Sequence, residues 1–151
     1  MNRRHKIFAF FLPVALLLAL PAVAAQAATF EVDPAHSTID FSVRHFFTPV
    51  PGNFRDFNGV IMYDAEAPEA SSVEFTVQAT SIDTGNDQRD EHLRSPDFFN
   101  VAEHPTLSFK SSTVKKVGDG KLLVTGDLSM HGVTKKVTIP VEVLGVVVGL
   151  H

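Results

Sequence analysis

Along most of this chain, apolar and polar residues alternate one by one. In residues 38–47, Ile39, Phe41 and Val43 share one parity while Asp40, Ser42 and Arg44 share the other. A β-strand sends successive side chains to opposite faces, so a period of two describes a sheet with one face buried. The same rhythm sets Val73, Phe75, Val77 and Ala79 against Glu74, Thr76, Gln78 and Thr80, and Leu107 and Phe109 against Ser108 and Lys110. It returns from Val133 through Val137, Ile139, Val141 and Val143, and shorter strands are predicted over residues 59–63 and 122–128. Pro- and Gly-rich breaks at residues 49–52 and 118–120 predict hairpin turns. A sheet that is apolar on one face must curl or stack to hide it, so the expected architecture is an antiparallel all-β barrel or sandwich.

One segment departs from this rhythm. Residues 86–94 are polar nearly all round and stop before Pro96, which predicts a short surface helix capped by Asn86 or Thr84. There is no Gly-rich phosphate loop and no internal repeat.

The N-terminus is organised differently. Arg3, Arg4 and Lys6 precede an apolar run over residues 7–20, and Ala25-Gln26-Ala27 ends a stretch of small residues. That is the layout of a cleaved export signal, residues 1–27. Pro13 and Pro21 interrupt a run too short for a membrane span of about 20 residues. Removing the leader takes three cations and no acid, so the formal charge moves from −4 to −7 and one domain remains, residues 28–151. An acidic surface of this kind disfavours nucleic acid as a partner. The absence of cysteine excludes disulfides, thiolate nucleophiles and Cys-based metal sites. The periplasm, or the bacterial exterior, is the expected compartment.

Catalytic signals are weak. The histidines left after cleavage, His36, His45, His92, His104, His131 and His151, have no i, i+4 helical pairing of the kind a metalloprotease uses, and no serine occupies a nucleophile elbow. His104 before Pro105 and His131 before Gly132 are expected at turns. Residues 89–94 (RDEHLR) carry the densest polar cluster; they read as a solvated helix face or as the mouth of a cavity that donates hydrogen bonds to an anionic or carbonyl head group. An enzyme using a metal or a proton through His36, His92, His131 and Asp90 is the rival reading. The phenyl side chains are the more informative feature. Phe46, Phe47, Phe54, Phe57, Phe98 and Phe99 lie in or beside predicted loops, where an ordinary core needs them least and an apolar ligand would use them.

Several ordered blocks together carry a resemblance: DPAHS at 33–37 with IDFSVRH at 39–45, SIDTGN at 81–86 with RDEHLRSPDFF at 89–99, HPT at 104–106, and GDL at 126–128 leading to HGVT at 131–134. From about residue 30 to 145 the chain resembles the YceI-like family. The resemblance implies an extended antiparallel, lipocalin-like β-barrel with a short helical insertion. It also implies periplasmic export and an interior that binds a polyisoprenoid, an isoprenoid quinone or another long-chain amphiphile, with no cofactor and no catalysis. On that view Phe41, Val43, Phe75 and Val77, with Phe98, Phe99, Leu107 and Phe109, line an apolar tube. Arg44, His45, Arg89, Asp90, His92 and Arg94 are candidates for its polar end. A stress-related interaction module without ligand, meeting a partner through the polar helix, is a third reading. Family members continue beyond Val143 with further strands, so closing strands are expected to be missing here through truncation, with a homodimer that supplies the edge as the alternative.

Overall fold

The computed structural model describes residues 27–45 and 47–146. The predicted leader up to residue 26, Phe46, the side chain of His45, and residues 147–151 with His151 lie outside the described residues. Among the described residues the chain forms strands β1 (Ala28–Glu31), β2 (Ile39–His45), β3 (Thr48–Phe54), β4 (Phe57–Tyr63), β5 (Ser72–Gln78) and β6 (Ile82–Asp83), then helix α1 (Asp87–Arg94), then β7 (Thr106–Gly118), β8 (Lys121–Met130) and β9 (Val133–Glu142). A six-stranded antiparallel sheet runs in the order β1-β4-β5-β7-β8-β9, and a smaller one in the order β2-β3-β6. The class is the expected one, antiparallel all-β with one short α-helix among the described residues. The barrel is open, because β1 and β9 are not hydrogen-bonded to each other.

Two departures from the sequence expectation have physical causes. Residues 49–52 are not a turn but part of β3, paired along its length with β2. On its other side β3 meets β6 only at Asn53 and Phe54. Pro49 and Pro51 therefore stand beside an open edge, where a residue lacking an N–H breaks no ladder. The second departure is the length of β7, where alternation was legible only near Leu107 and Phe109. A register shift between Ser111 and Thr113 adds one residue. Past this bulge the inward parity flips from odd to even, so Val114 is buried on the same side as Phe109.

Other local expectations hold. Asn86 is the N-cap of α1, its side chain accepting from the Arg89 N–H at 2.9 Å. His131 and Gly132 form the two-residue turn between β8 and β9, with φ of 51° and 70°. Two left-handed residues in succession match the twist of the flanking strands.

The core has two lobes. Phe54, Phe57, Val77, Ala79, Ile82, Leu93 and Leu107 pack beneath α1 and the small sheet. Phe109, Val114, Leu122 and Val124 pack at the other end of the large sheet. Phe75 touches both, its ring stacked on Phe109 with centroids 5.4 Å apart.

Candidate functional site

The concave face of the large sheet carries the apolar space. Phe30 of β1, Ile61 and Tyr63 of β4 and Val73 of β5 form one wall. Val114 of β7, Leu122 and Val124 of β8, Val141 of β9 and Val143 just beyond it form the other. The groove between them holds about 510 Å³, and Leu144–Val146 cross its rim. All six strands contribute, because the sheet twists and curls enough to bring its two ends around one hollow. The polar side chains at this groove are few: Ser71, Glu142 and the Tyr63 hydroxyl.

A second space of about 490 Å³ lies between β2 and α1. Val43, Leu93 and Phe98 give it an apolar floor, and Arg44, Arg89 and His92 line it with Asn86 and Gln88. The two spaces share no lining residue and lie against different lobes of the core. The single tube expected from the sequence is thus divided, with Phe75 packed against both lobes and stacked on Phe109 of the second.

The predicted tube residues separate accordingly. Val77, Leu107 and Phe109 are buried against their own neighbours, and Phe75 stacks on Phe109. Phe41 and Phe99 pack on Phe54 at centroid separations of 5.2 and 5.8 Å. Of the eight, Val43 and Phe98 line a space, the one beside α1.

The predicted polar residues also part company. Arg44, Arg89 and His92 face the α1 pocket together. Asp90 is 4% exposed. Its Oδ1 accepts from the Thr84 amide at 2.9 Å and the Thr84 hydroxyl at 2.5 Å. Arg94 donates from Nε and Nη2 to the carbonyls of Thr80 and Ile82, both at 2.8 Å. These two side chains tie α1 to the segment before it, and Arg89 adds bonds from Nε to the Thr84 hydroxyl and from Nη2 to the Thr84 carbonyl. His92 sets its ring edge-on to Phe98 at 4.9 Å, with Nε2 at 3.7 Å from Asp97.

The metal-enzyme constellation does not assemble. His36 bonds Asp33 through Nδ1 at 2.7 Å in an exposed turn, while His131 sits at the β8–β9 turn beside His104. Among the described residues no group of three or more His, Cys, Asp or Glu side chains could hold a metal ion. The perturbed carboxylates are structural. The His36 hydrogen bond, helped by the Ala35 amide, holds Asp33 below the ordinary aspartate range. Asp83 is lowered first by the Gly85 amide and then, against some desolvation, by its ion pair with Arg55.

The groove-lining residues of β1, β4, β8 and β9 were not singled out in the sequence, although alternation in residues 122–128 and 133–143 was the available signal. No helix of the described residues is long and apolar enough to cross a membrane.

Comparison with known proteins agrees with this architecture. Residues 30–151 match the YceI-like domain. The chain is 41% identical over 124 residues to a UPF0312 protein of Ectopseudomonas mendocina (strain ymp), covering 80% of this chain and 65% of that protein. It is 40% identical over 131 residues to Protein YceI of Escherichia coli O6:H1, covering 85% and 68%. The chain thus spans about two thirds of the length of the curated relatives it matches. Among solved structures it is similar to Burkholderia cenocepacia BcnA, with TM-score 0.73 and 28% identity over 76% of this chain and 72% of that one. It is also similar to a Campylobacter jejuni YCEI protein, with TM-score 0.65 and 33% identity over 78% and 70%. The lipocalin-like class expected from the sequence resemblance is the class of these neighbours.

Proposed function

Since the chain belongs to the YceI-like domain family, we propose that it is an exported periplasmic carrier, not a catalyst, whose large sheet holds the tail of a polyisoprenoid or another long-chain amphiphile. One observation carries the reading: a groove of about 510 Å³ to which all six strands of the sheet contribute apolar side chains. That volume lies within the range of about 300–1,000 Å³ usual for small-molecule sites. Each methylene moved out of water contributes about 0.8 kcal/mol. Ten buried carbons therefore give a gross term of about 8 kcal/mol, the scale of micromolar affinity before ordering costs reduce it. Arg44, Arg89 and His92 are the proposed donors to an anionic or carbonyl head group.

The test is organic extraction of the protein purified from its own host, followed by mass spectrometry, together with titration of an apolar fluorescent probe. A long-chain lipid near one equivalent per chain is expected. Val141→Arg, which puts a cation on the groove wall at the edge strand, should abolish probe binding while leaving the β-sheet circular dichroism intact. An empty extract with no probe binding, or full binding by Val141→Arg, refutes the groove as the site.

A further inference from the structure

We propose that His104 and His131 form a two-imidazole site for a transition-metal dication, Cu²⁺ before Zn²⁺, at the β8–β9 hairpin, separate from the apolar groove. The two rings lie with centroids 5.2 Å apart and planes inclined at 58°, so they are neighbours without being stacked face to face. Two imidazoles on one ion, each with a metal–nitrogen bond of about 2.1 Å, hold their ring centres about 4.6 Å apart at the right angle of a tetragonal site and about 5.3 Å apart at a tetrahedral one. The observed separation falls within that span, so either ion can be shared with only a small movement of the rings.

The backbone fixes where the His131 ring stands. His131 is one of two non-glycine residues with positive φ among the described residues, at 51°. The turn it occupies is the type that asparagine, aspartate or glycine fills with least strain. Histidine, like asparagine and aspartate, enters this left-handed region more readily than other side chains, so the turn holds the imidazole at a defined place. Gly132 completes the arrangement. With φ of 70° it can follow His131, and a Cβ on it would stand 2.7 Å from Cε1 of His104. Only a glycine leaves room for the His104 ring against the hairpin. His104 itself is held by its backbone N–H, which donates to the carbonyl of Asn100 at 2.8 Å.

Imidazole nitrogen suits copper and zinc, and divalent affinity rises to copper in the Irving–Williams order. Among the described residues no third His, Cys, Asp or Glu side chain completes the set. The remaining coordination positions would belong to water, giving an open site of modest affinity. Magnesium and calcium, which take oxygen ligands, should not bind there.

Titration calorimetry of the full chain with CuCl₂, ZnCl₂ and MgCl₂ tests this. One Cu²⁺ per chain with weaker Zn²⁺ and no Mg²⁺ binding at this site is expected. His131→Asn keeps the turn chemistry while removing the imidazole, and His104→Gln removes the other. Each should weaken Cu²⁺ binding at least about tenfold, the scale on which even outer-shell changes at metal sites are felt. His36→Gln should leave binding unchanged. In proton spectra, substoichiometric Cu²⁺ should broaden the ring signals of His104 and His131 before those of His36 and His92. Undiminished binding by both His131→Asn and His104→Gln, or first broadening at His36 or His92, would overturn the assignment.

Discussion

Replacing Asp90 separates a ligand group from a structural one. Its carboxylate is 4% exposed and accepts two hydrogen bonds from Thr84, at 2.9 Å from the amide and 2.5 Å from the hydroxyl. Hydrogen bonds to a charged partner contribute about 1.5–3 kcal/mol each, and a buried donor left unmatched costs a similar amount. Taking the lower end for both, Asp90→Ala should destabilise the fold by about 3 kcal/mol. At about 4 °C per kcal/mol for a domain of this size, the melting temperature should fall by about 12 °C. Asp90→Asn keeps one acceptor oxygen and should lose about half as much. Thermal and urea unfolding followed by circular dichroism measure both variants, alongside probe binding below the transition. Binding by the folded fraction should stay at the wild-type level, as a structural role for Asp90 requires. An unchanged melting temperature with lost binding would refute it and return Asp90 to the polar end of the ligand site.

Two further outcomes follow from the geometry. At Gly126 in β8, a Cβ would stand 2.7 Å from Cζ of Phe109 and against the Lys110 carbonyl, so Gly126→Ala should cost about 1–3 kcal/mol by overpacking. Gly118→Ala, whose nearest neighbour would be 3.7 Å away, should stay within about 0.5 kcal/mol of wild type; equal urea midpoints for the two would refute the packing argument. Asp33 and Asp83 are both held below the ordinary aspartate value by hydrogen bonds to their charged forms. A depressed folded-state value contributes stability that is present above the unfolded value of about 3.9 and lost as pH falls through the folded one. Carbon-detected titration should therefore find both midpoints below that of an unfolded peptide, and a midpoint at or above it would contradict the bonding described.

Much of the local structure was legible in the sequence because its causes are local. The strands follow from alternation, the α1 cap from Asn86, and the β8–β9 turn from His131-Gly132, each decided by a few adjacent residues. Strand β3 was misread because Pro49 and Pro51 signal a turn unless an unpaired edge lies beside them, and that edge is a long-range fact. The bulge near Ser111 hid the second half of β7 in the same way, since a one-residue slip cancels the parity on which the reading depends.

At the site, alternation marks the inward-facing side chains of the regular strands and makes them apolar, Val114 beyond the bulge excepted. The family resemblance grouped Arg44, His45, Arg89, Asp90, His92 and Arg94 as one polar end, and of these Arg44, Arg89 and His92 line one space. Which inward positions are filled and which face open space depends instead on how the curled sheet packs. Phe109 and Leu122 obey the same alternation, yet Phe109 lies buried against Phe75 while Leu122 lines the groove. Parity is a property of one strand, whereas a hollow depends on the distance to whatever the curled sheet brings opposite.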